Sequence, residues 1–268
     1  MSKLSKAQAK AHAEACAMLT KDRLSEDERW FVLDNWQESA NHINSTAGAF
    51  FTPTGLACDF AIETGGCRAF IDLCAGIGAL AHMTQARCAW GKDVDRLVCV
   101  ELNPAYAAVG RKIVPDAEWI EADVFALPDL GRFDMALSNP PFGATKRTGD
   151  GGHYHGRAFE YHVIDIASDL AEHGVFIIPQ GSAPFRYSGH PYYEWRPGPE
   201  YEAFSRATGI ELGASCGIDC EAYRKDWRGV APAVEIVTAD FGEARSRRAQ
   251  TAMTAATGSD LPLFGVAA

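Results

Sequence analysis

The stretch Ala69-Phe70-Ile71-Asp72-Leu73-Cys74-Ala75-Gly76-Ile77-Gly78 decides how the chain is read. An apolar run over 69–74 enters two glycines one residue apart, and a helical pattern then extends to Trp90. A short apolar run bounded by turn residues fits a strand buried on both faces. Working outward, the same rhythm returns. Runs at 97–101, 119–121, 133–138 and 175–179 read as further strands, separated by helical stretches. Phe159, Val163, Ile166 and Leu170 have helical spacing, with Gly174 as the expected C-cap. The β-α-β-α order predicts an α/β, doubly wound and mostly parallel sheet with helices on both faces. Two late strands, 210–215 and 234–241, lack a convincing helix between them and are expected to form an antiparallel hairpin.

Upstream, residues 5–19 read as a helix. Ser25-Glu26-Asp27-Glu28 has the capping-box spacing and predicts a second helix running toward Ala40. A short helix is expected from Pro53 to Thr64, closed by Gly65-Gly66. The organisation that follows is a helical extension over 1–44, a catalytic domain over 45–241 with insertions at 143–157 and 181–198, and a mobile tail over 242–268.

Composition sets the class. The 268 residues are 47% apolar and 22% charged, which excludes a mainly disordered chain. Lys plus Arg is 25 and Asp plus Glu is 35, a formal charge of −10 that argues against nonspecific coating of nucleic acid but leaves room for a local basic groove. No apolar run reaches the ~18 residues of a membrane span. The polar N-terminal stretch lacks the apolar segment of a secretory signal, so a cytoplasmic location is expected. The eight cysteines, Cys16, Cys58, Cys67, Cys74, Cys88, Cys99, Cys216 and Cys220, form no C-x-x-C pair and fit buried thiols in a reducing compartment. No metal site is expected.

Three sites carry chemistry. In a doubly wound sheet a ligand lies at the carboxyl ends of the strands, where Gly76 and Gly78 let backbone approach it and Glu101 can accept from ribose hydroxyls. Asp72 suits a cationic amino-acid group; a tight strand–helix turn is the plainer account of the glycines. Asp123, after the third strand, can accept from an adenine amino group or cap the N-terminus of a helix. The third site, Ser138-Asn139-Pro140-Pro141-Phe142, closes a strand. Its prolines remove two donors, so nearby carbonyls act as pure acceptors. Asn139 adds an amide oxygen, and Phe142 a flat face for a planar ring. Acceptors beside an aromatic face suit a planar substrate bearing an NH2 group.

Phe50-Phe51-Thr52-Pro53, 72–78, Glu101, Asp123 and 139–142, in that order, resemble the S-adenosylmethionine-dependent N6-adenine DNA methyltransferases, including modification subunits of restriction systems. The resemblance spans about 45–241 as an order of motifs. It implies a seven-stranded Rossmann-like class I methyltransferase fold and S-adenosyl-L-methionine as cofactor. Cofactor contacts are implied for Phe51, Thr52, Pro53, Asp72, Ala75, Gly76, Gly78, Glu101, Asp123, Val124 and Asn139. Catalytic roles are implied for Asn139, Pro140, Pro141 and Phe142, acting on an adenine flipped out of the duplex.

Lys146, Arg147 and Arg157, in a loop with five glycines, are read as phosphate contacts on a mobile lid. Arg186, Tyr192 and Arg196 interleave charge with aromatics, a pattern that suits base stacking. Near the C-terminus, Asp260, Leu261, Leu263 and Phe264 resemble the short peptide that docks proteins onto the bacterial sliding clamp, although Asp260 stands where Gln is usual. Competing readings are an RNA adenine methyltransferase, a protein glutamine-N5 methyltransferase and a non-catalytic binder of cofactor or DNA.

Overall fold

The computed structural model describes residues 4–37, 50–88, 94–228 and 231–258. The clamp-like residues Asp260, Leu261, Leu263 and Phe264 lie outside them. The strands are β1 (Ala69–Leu73), β2 (Arg96–Glu101), β3 (Glu118–Glu121), β4 (Phe133–Ser138), β5 (Ala171–Pro179), β6 (Phe185–Arg186), β7 (Glu194–Trp195), β8 (Leu212–Ala214) and β9 (Val234–Asp240). Seven of them form one sheet in the order β3-β2-β1-β4-β5-β9-β8, while β6 and β7 pair as a separate hairpin. β9 runs antiparallel to both β5 and β8, and the other neighbours are parallel. The expected late hairpin is therefore present.

The helices are α1 (Lys6–Met18), α2 (Glu26–Asn35), α3 (Thr54–Phe60), α4 (Ala79–Cys88), α5 (Pro104–Ile113), α6 (Phe159–Leu170), α7 (Pro199–Thr208) and α8 (Phe241–Gly258). α1 and α2 both open on a complete capping box, Ser5 with Gln8 and Ser25 with Glu28. These satisfy first-turn N–H groups that would otherwise lack partners. β1 lies inside the sheet between β2 and β4, where Ile71 pairs with Val98 on one side and Ala136 on the other, all three fully buried. A strand covered on both faces needs a nearly continuous apolar run, which 69–74 supplies around the one acid Asp72.

Several boundaries differ from expectation. α2 stops at Asn35, whereas the expected helix end at Trp90 lies outside the described residues. Gly174 is not a helix cap. It lies inside β5, paired with Ala136 and Ala239, and a Cβ there would sit 2.4 Å from Phe176 and 2.7 Å from Phe241. The stretch from Gly242, expected as a mobile tail, continues as α8 to Gly258. Phe241 and Ala244 anchor it in the core, and Arg245 donates to the carbonyls of Ser168 and Ala171 at the end of α6.

Gly110, in α5, has the tightest surroundings. A Cβ added there would lie 2.0 Å from Trp119, whose indole N–H is already fixed on the Val114 carbonyl at 3.1 Å. Gly110→Ala gains up to ~1 kcal/mol of helix propensity. It must also displace the indole ring, and such overpacking costs about 1–3 kcal/mol or more. The expected net result, a cost of about 1 kcal/mol, is a melting temperature lower by about 2–4 °C, read by thermal denaturation. An unchanged or raised midpoint would show that the ring moves freely.

Candidate active site

At the carboxyl ends of β1, β2 and β4, where the strand order reverses direction, a cavity of about 240 Å³ opens. This is where a doubly wound sheet leaves a crevice. The turn after β1 contributes Cys74 and Gly76, β2 contributes Val100 and Glu101, and Leu102 follows it. Asp123 and Val124 enter after β3, and Asn139 and Pro141 after β4. Phe50, Phe51, Tyr106 and Phe159 complete the wall. A smaller pocket of about 30 Å³ shares Phe50, Phe51, Cys74, Gly76 and Asn139 with it, and adds Thr52, Asp72 and Ala75.

The turn after β1 shapes one side. Cys74, Gly76 and Gly78 all have positive φ, at 59°, 58° and 86°. A side chain at Gly76 would come within 3.3 Å of the Phe51 ring, so glycine serves both the conformation and the close approach. Gly78 does not line the cavity; a Cβ there would meet Val114 and Trp119, so it serves packing. The Gly76 N–H donates to one oxygen of Glu101 at 2.8 Å, and the Asn103 N–H to the other at 2.8 Å. One carboxylate thus ties the turn after β1 to the turn after β2.

Asp72 is 1% exposed. One oxygen accepts from the Ala81 N–H at 3.2 Å and the other is buried without a partner. Burial pushes its pKa well above the usual carboxylate range, the Ala81 bond pulls it down, and the charge of Glu101 adds to the rise. An unpartnered buried oxygen is costly unless a donor reaches it. Burial, aided by Glu101, Asp72 and Asp123, also pushes the Cys74 thiol well up, which disfavours its thiolate.

Asn139 occupies the junction of the two pockets. Its Nδ2 donates to the Phe50 carbonyl and to the Thr52 hydroxyl oxygen, both at 2.9 Å. These two acceptors fix the amide orientation, and Oδ1 is left buried with no partner. Pro141 lines the cavity, whereas Pro140 is buried outside it. Phe142 does not line the cavity either; its ring lies 6.3 Å from that of Phe50, tilted by 55°.

Of the expected cofactor residues, the two pockets gather Phe51, Thr52, Asp72, Ala75, Gly76, Glu101, Asp123, Val124 and Asn139, leaving out Pro53 and Gly78. No helix follows Asp123. It holds a turn through the Phe125 N–H at 3.0 Å, and its other oxygen accepts from the Thr148 hydroxyl at 2.7 Å. Sequence reasoning assigned no site role to Cys74, Leu102, Tyr106 or Phe159. Their only signal was adjacency to a strand end or helix start, which is too common to single them out.

The loop over 143–157 is tied to α6 by hydrogen bonds. Gly151 N–H donates to Nδ1 of His162 at 3.0 Å, and the N–H groups of His153 and Tyr154 donate to Asp165 at 2.7 and 2.9 Å. Both acceptors belong to α6 and are fully buried. Arg147 is engaged within the loop, by Asp150 at 3.0 Å and the Gly156 carbonyl at 3.1 Å. Lys146 and Arg157 are exposed. In the hairpin, Arg186 is half-buried, Arg196 is exposed, and Tyr192 is 68% exposed.

Because Nδ1 of His162 accepts, its Nε2 must carry the proton given to the Gly156 carbonyl at 2.9 Å. Burial lowers its pKa from the ordinary 6.5; the Gly156 bond opposes this and Arg147 adds to it. The unfolded chain therefore binds the proton more readily, so stability rises with pH through the window below 6.5. Acidification from pH 7.5 to 5.5 is expected to lower the melting temperature, and His162→Gln to reduce that drop. An identical drop in the variant would locate the sensitivity elsewhere, with His82 and His12, also lowered by burial, next in line.

Among the described residues, no group of three or more His, Cys, Asp or Glu side chains is placed to hold a metal ion. No helix among them is long and apolar enough to cross a membrane. The sequence matches no protein-family model and no curated protein. Solved structures do match. A candidate class I S-adenosylmethionine-dependent methyltransferase from Listeria monocytogenes aligns with TM-score 0.54 at 10% identity, over 83% of this chain and 69% of that one. The methyltransferase subunit of a type I restriction-modification system from Streptococcus thermophilus aligns with TM-score 0.53 at 14% identity, over 82% of this chain and 51% of that one. A candidate RNA methyltransferase from Pyrococcus horikoshii aligns with TM-score 0.51 at 15% identity, over 81% and 98%. The fold is that of the class I methyltransferases. The chain spans about half the length of the Streptococcus subunit. At these identities the likeness concerns architecture, and the chemistry must be argued from the site.

Proposed function

We propose that this chain transfers a methyl group from S-adenosyl-L-methionine to the N6 amino group of adenine in DNA. The observation that carries the reading is the Asn139 amide, locked by Phe50 and Thr52 with Oδ1 buried and unpartnered. Such an oxygen accepts a hydrogen from an NH2 group entering the cavity.

The cofactor fits the residues present. Asp123 and Val124 bound the end suited to adenine, and Glu101 lies where ribose hydroxyls would meet a carboxylate. The unpartnered oxygen of Asp72, in the smaller pocket, suits the ammonium of the methionine part. When bound, the cofactor supplies an activated methyl group on a sulfonium. The chain's own work is positional. Asn139 Oδ1 holds one amino hydrogen and favours a localised lone pair on nitrogen, while the proline carbonyls beside it offer further acceptors. An adenine stacked in a duplex cannot reach this site and must be flipped out, at a cost of a few kcal/mol. The charges of Lys146, Arg157, Arg186 and Arg196 and the exposed ring of Tyr192 offset that cost in this reading.

The test is incubation of the purified chain with methyl-labelled cofactor and separate pools of duplex DNA, RNA and protein, followed by nucleoside and amino-acid analysis. N6-methyldeoxyadenosine is the expected product. Label confined to RNA or to glutamine would overturn the DNA assignment, and binding without turnover on all three pools would overturn catalysis.

A further inference from the structure

Glu160 is a buried acid that the transfer chemistry leaves unused. It is 1% exposed and stands second in α6, directly after the cavity residue Phe159. Its Oε2 accepts from the Gly143 N–H at 2.8 Å, and its Oε1 from the Ser182 hydroxyl at 2.6 Å. Two neutral donors satisfy the carboxylate, and hydrogen bonds to a charged acceptor are about twice as strong as neutral ones.

The two donors come from different segments. Gly143 immediately follows 139–142 and turns the chain with φ +70°. Its carbonyl accepts from the Phe159 N–H at 2.9 Å, which closes a ring of contacts between that turn and the start of α6. Ser182 lies at the root of the insertion that carries β6 and β7, and the Tyr161 hydroxyl holds its carbonyl at 2.5 Å. The fold thus brings the turn after Asn139 and the root of the aromatic hairpin to one buried carboxylate.

We propose that Glu160 is a positioning residue that sets the turn after 139–142 and registers the 181–198 hairpin against it, so that a flipped base enters with its amine toward Asn139. The role assigned to the base rests on the function proposed above, whereas the strut itself is a property of the fold. A misplacement of about 1 Å at a reacting group is enough to cost on the order of 100-fold in rate.

The full-length chain tests this through three variants. Glu160→Ala is expected to lower kcat on adenine-containing duplex by about 100-fold, with cofactor affinity by calorimetry within about twofold of wild type. Glu160→Gln retains one acceptor for Gly143, and its amide can donate to Ser182 once that hydroxyl reverses, so kcat should return to within about fivefold. Ser182→Ala keeps the Gly143 bond and should raise KM for DNA with little change in kcat. Independently of turnover, hydrogen exchange in Glu160→Ala should quicken at 143–147 and at 182–196 together.

Unchanged exchange at both segments would overturn the strut, whatever the substrate proves to be. An unchanged kcat in Glu160→Ala would overturn its part in positioning, and so would a kcat loss in step with cofactor affinity and unrepaired by Gln. Should Glu160→Ala not fold, Ser182→Ala decides: quickened exchange confined to the hairpin supports the strut, and none refutes it. If wild type methylates nothing while the exchange result holds, the failure belongs to the proposed function and not to the strut.

Discussion

Asn139→Ala is expected to lower methyl transfer by about 100- to 1,000-fold, the range seen when one oriented polar group is removed from a reacting centre. The loss should fall on kcat, because the interaction removed is one made to the reacting amine and strengthened as its lone pair localises. Cofactor affinity is expected to stay within about threefold. The change is not confined to the acceptor. Nδ2 also holds the Phe50 carbonyl and the Thr52 hydroxyl, so alanine releases both. Thr52→Val separates the two effects. It removes one of the acceptors that orient the amide while leaving Asn139 in place, and should cost less than the alanine. Single-turnover rates at saturating cofactor, set beside calorimetric affinities, give the comparison. Equal turnover by wild type and Asn139→Ala would remove the residue from the chemistry. A common loss of affinity and rate in both variants would assign it to shaping the cofactor site instead.

How far the sequence foretold this arrangement depended on whether the deciding contacts were local. The turn after β1 was readable because a positive φ at Gly76 and Gly78 is a demand that glycine meets within its own peptide. The 138–142 motif was readable because proline acts on its own φ and its own missing donor. Gly174 misled for the opposite reason. Its place after a helical pattern matched a C-cap, but what requires glycine is the pair of rings from Phe176 and Phe241, the second 67 residues on in sequence (241 − 174 = 67). Two of the five glycines of 143–157 misled similarly. Gly151 is glycine because a Cβ would lie 2.7 Å from Asp165, and Gly156 because one would lie 2.1 Å from the Tyr154 hydroxyl oxygen. Composition signalled freedom where tertiary packing had imposed closeness. α8 stayed hidden because its anchors, Phe241, Ala244 and Arg245, are held by α6 and β5 and leave little periodicity of their own.

The second large effect is expected at Glu101, and it should separate from that of Asn139 along the other axis. Glu101→Ala is expected to weaken cofactor binding by about 100-fold while kcat at saturating cofactor stays within about threefold of wild type. Two losses add. The Gly76 and Asn103 N–H groups lose the acceptor that ties their turns together, so the cavity must be ordered when the cofactor arrives instead of before. The hydrogen bonds a carboxylate would accept from ribose hydroxyls, about 1.5–3 kcal/mol for a charged acceptor, go as well. At about 1.4 kcal/mol per tenfold, the second loss alone spans roughly 10- to 150-fold. Glu101→Gln should fall between, because its amide offers one acceptor where two backbone donors converge and turns an NH2 group toward the other. Calorimetry with S-adenosyl-L-methionine, and the rise in melting temperature that it produces, read the affinity without any nucleic acid present. If Glu101→Ala binds as tightly as wild type, the cavity at the ends of β1 and β2 is not the cofactor site. If it binds weakly and Asn139→Ala binds normally without turnover, one carboxylate serves the donor of the methyl group and one amide serves its acceptor.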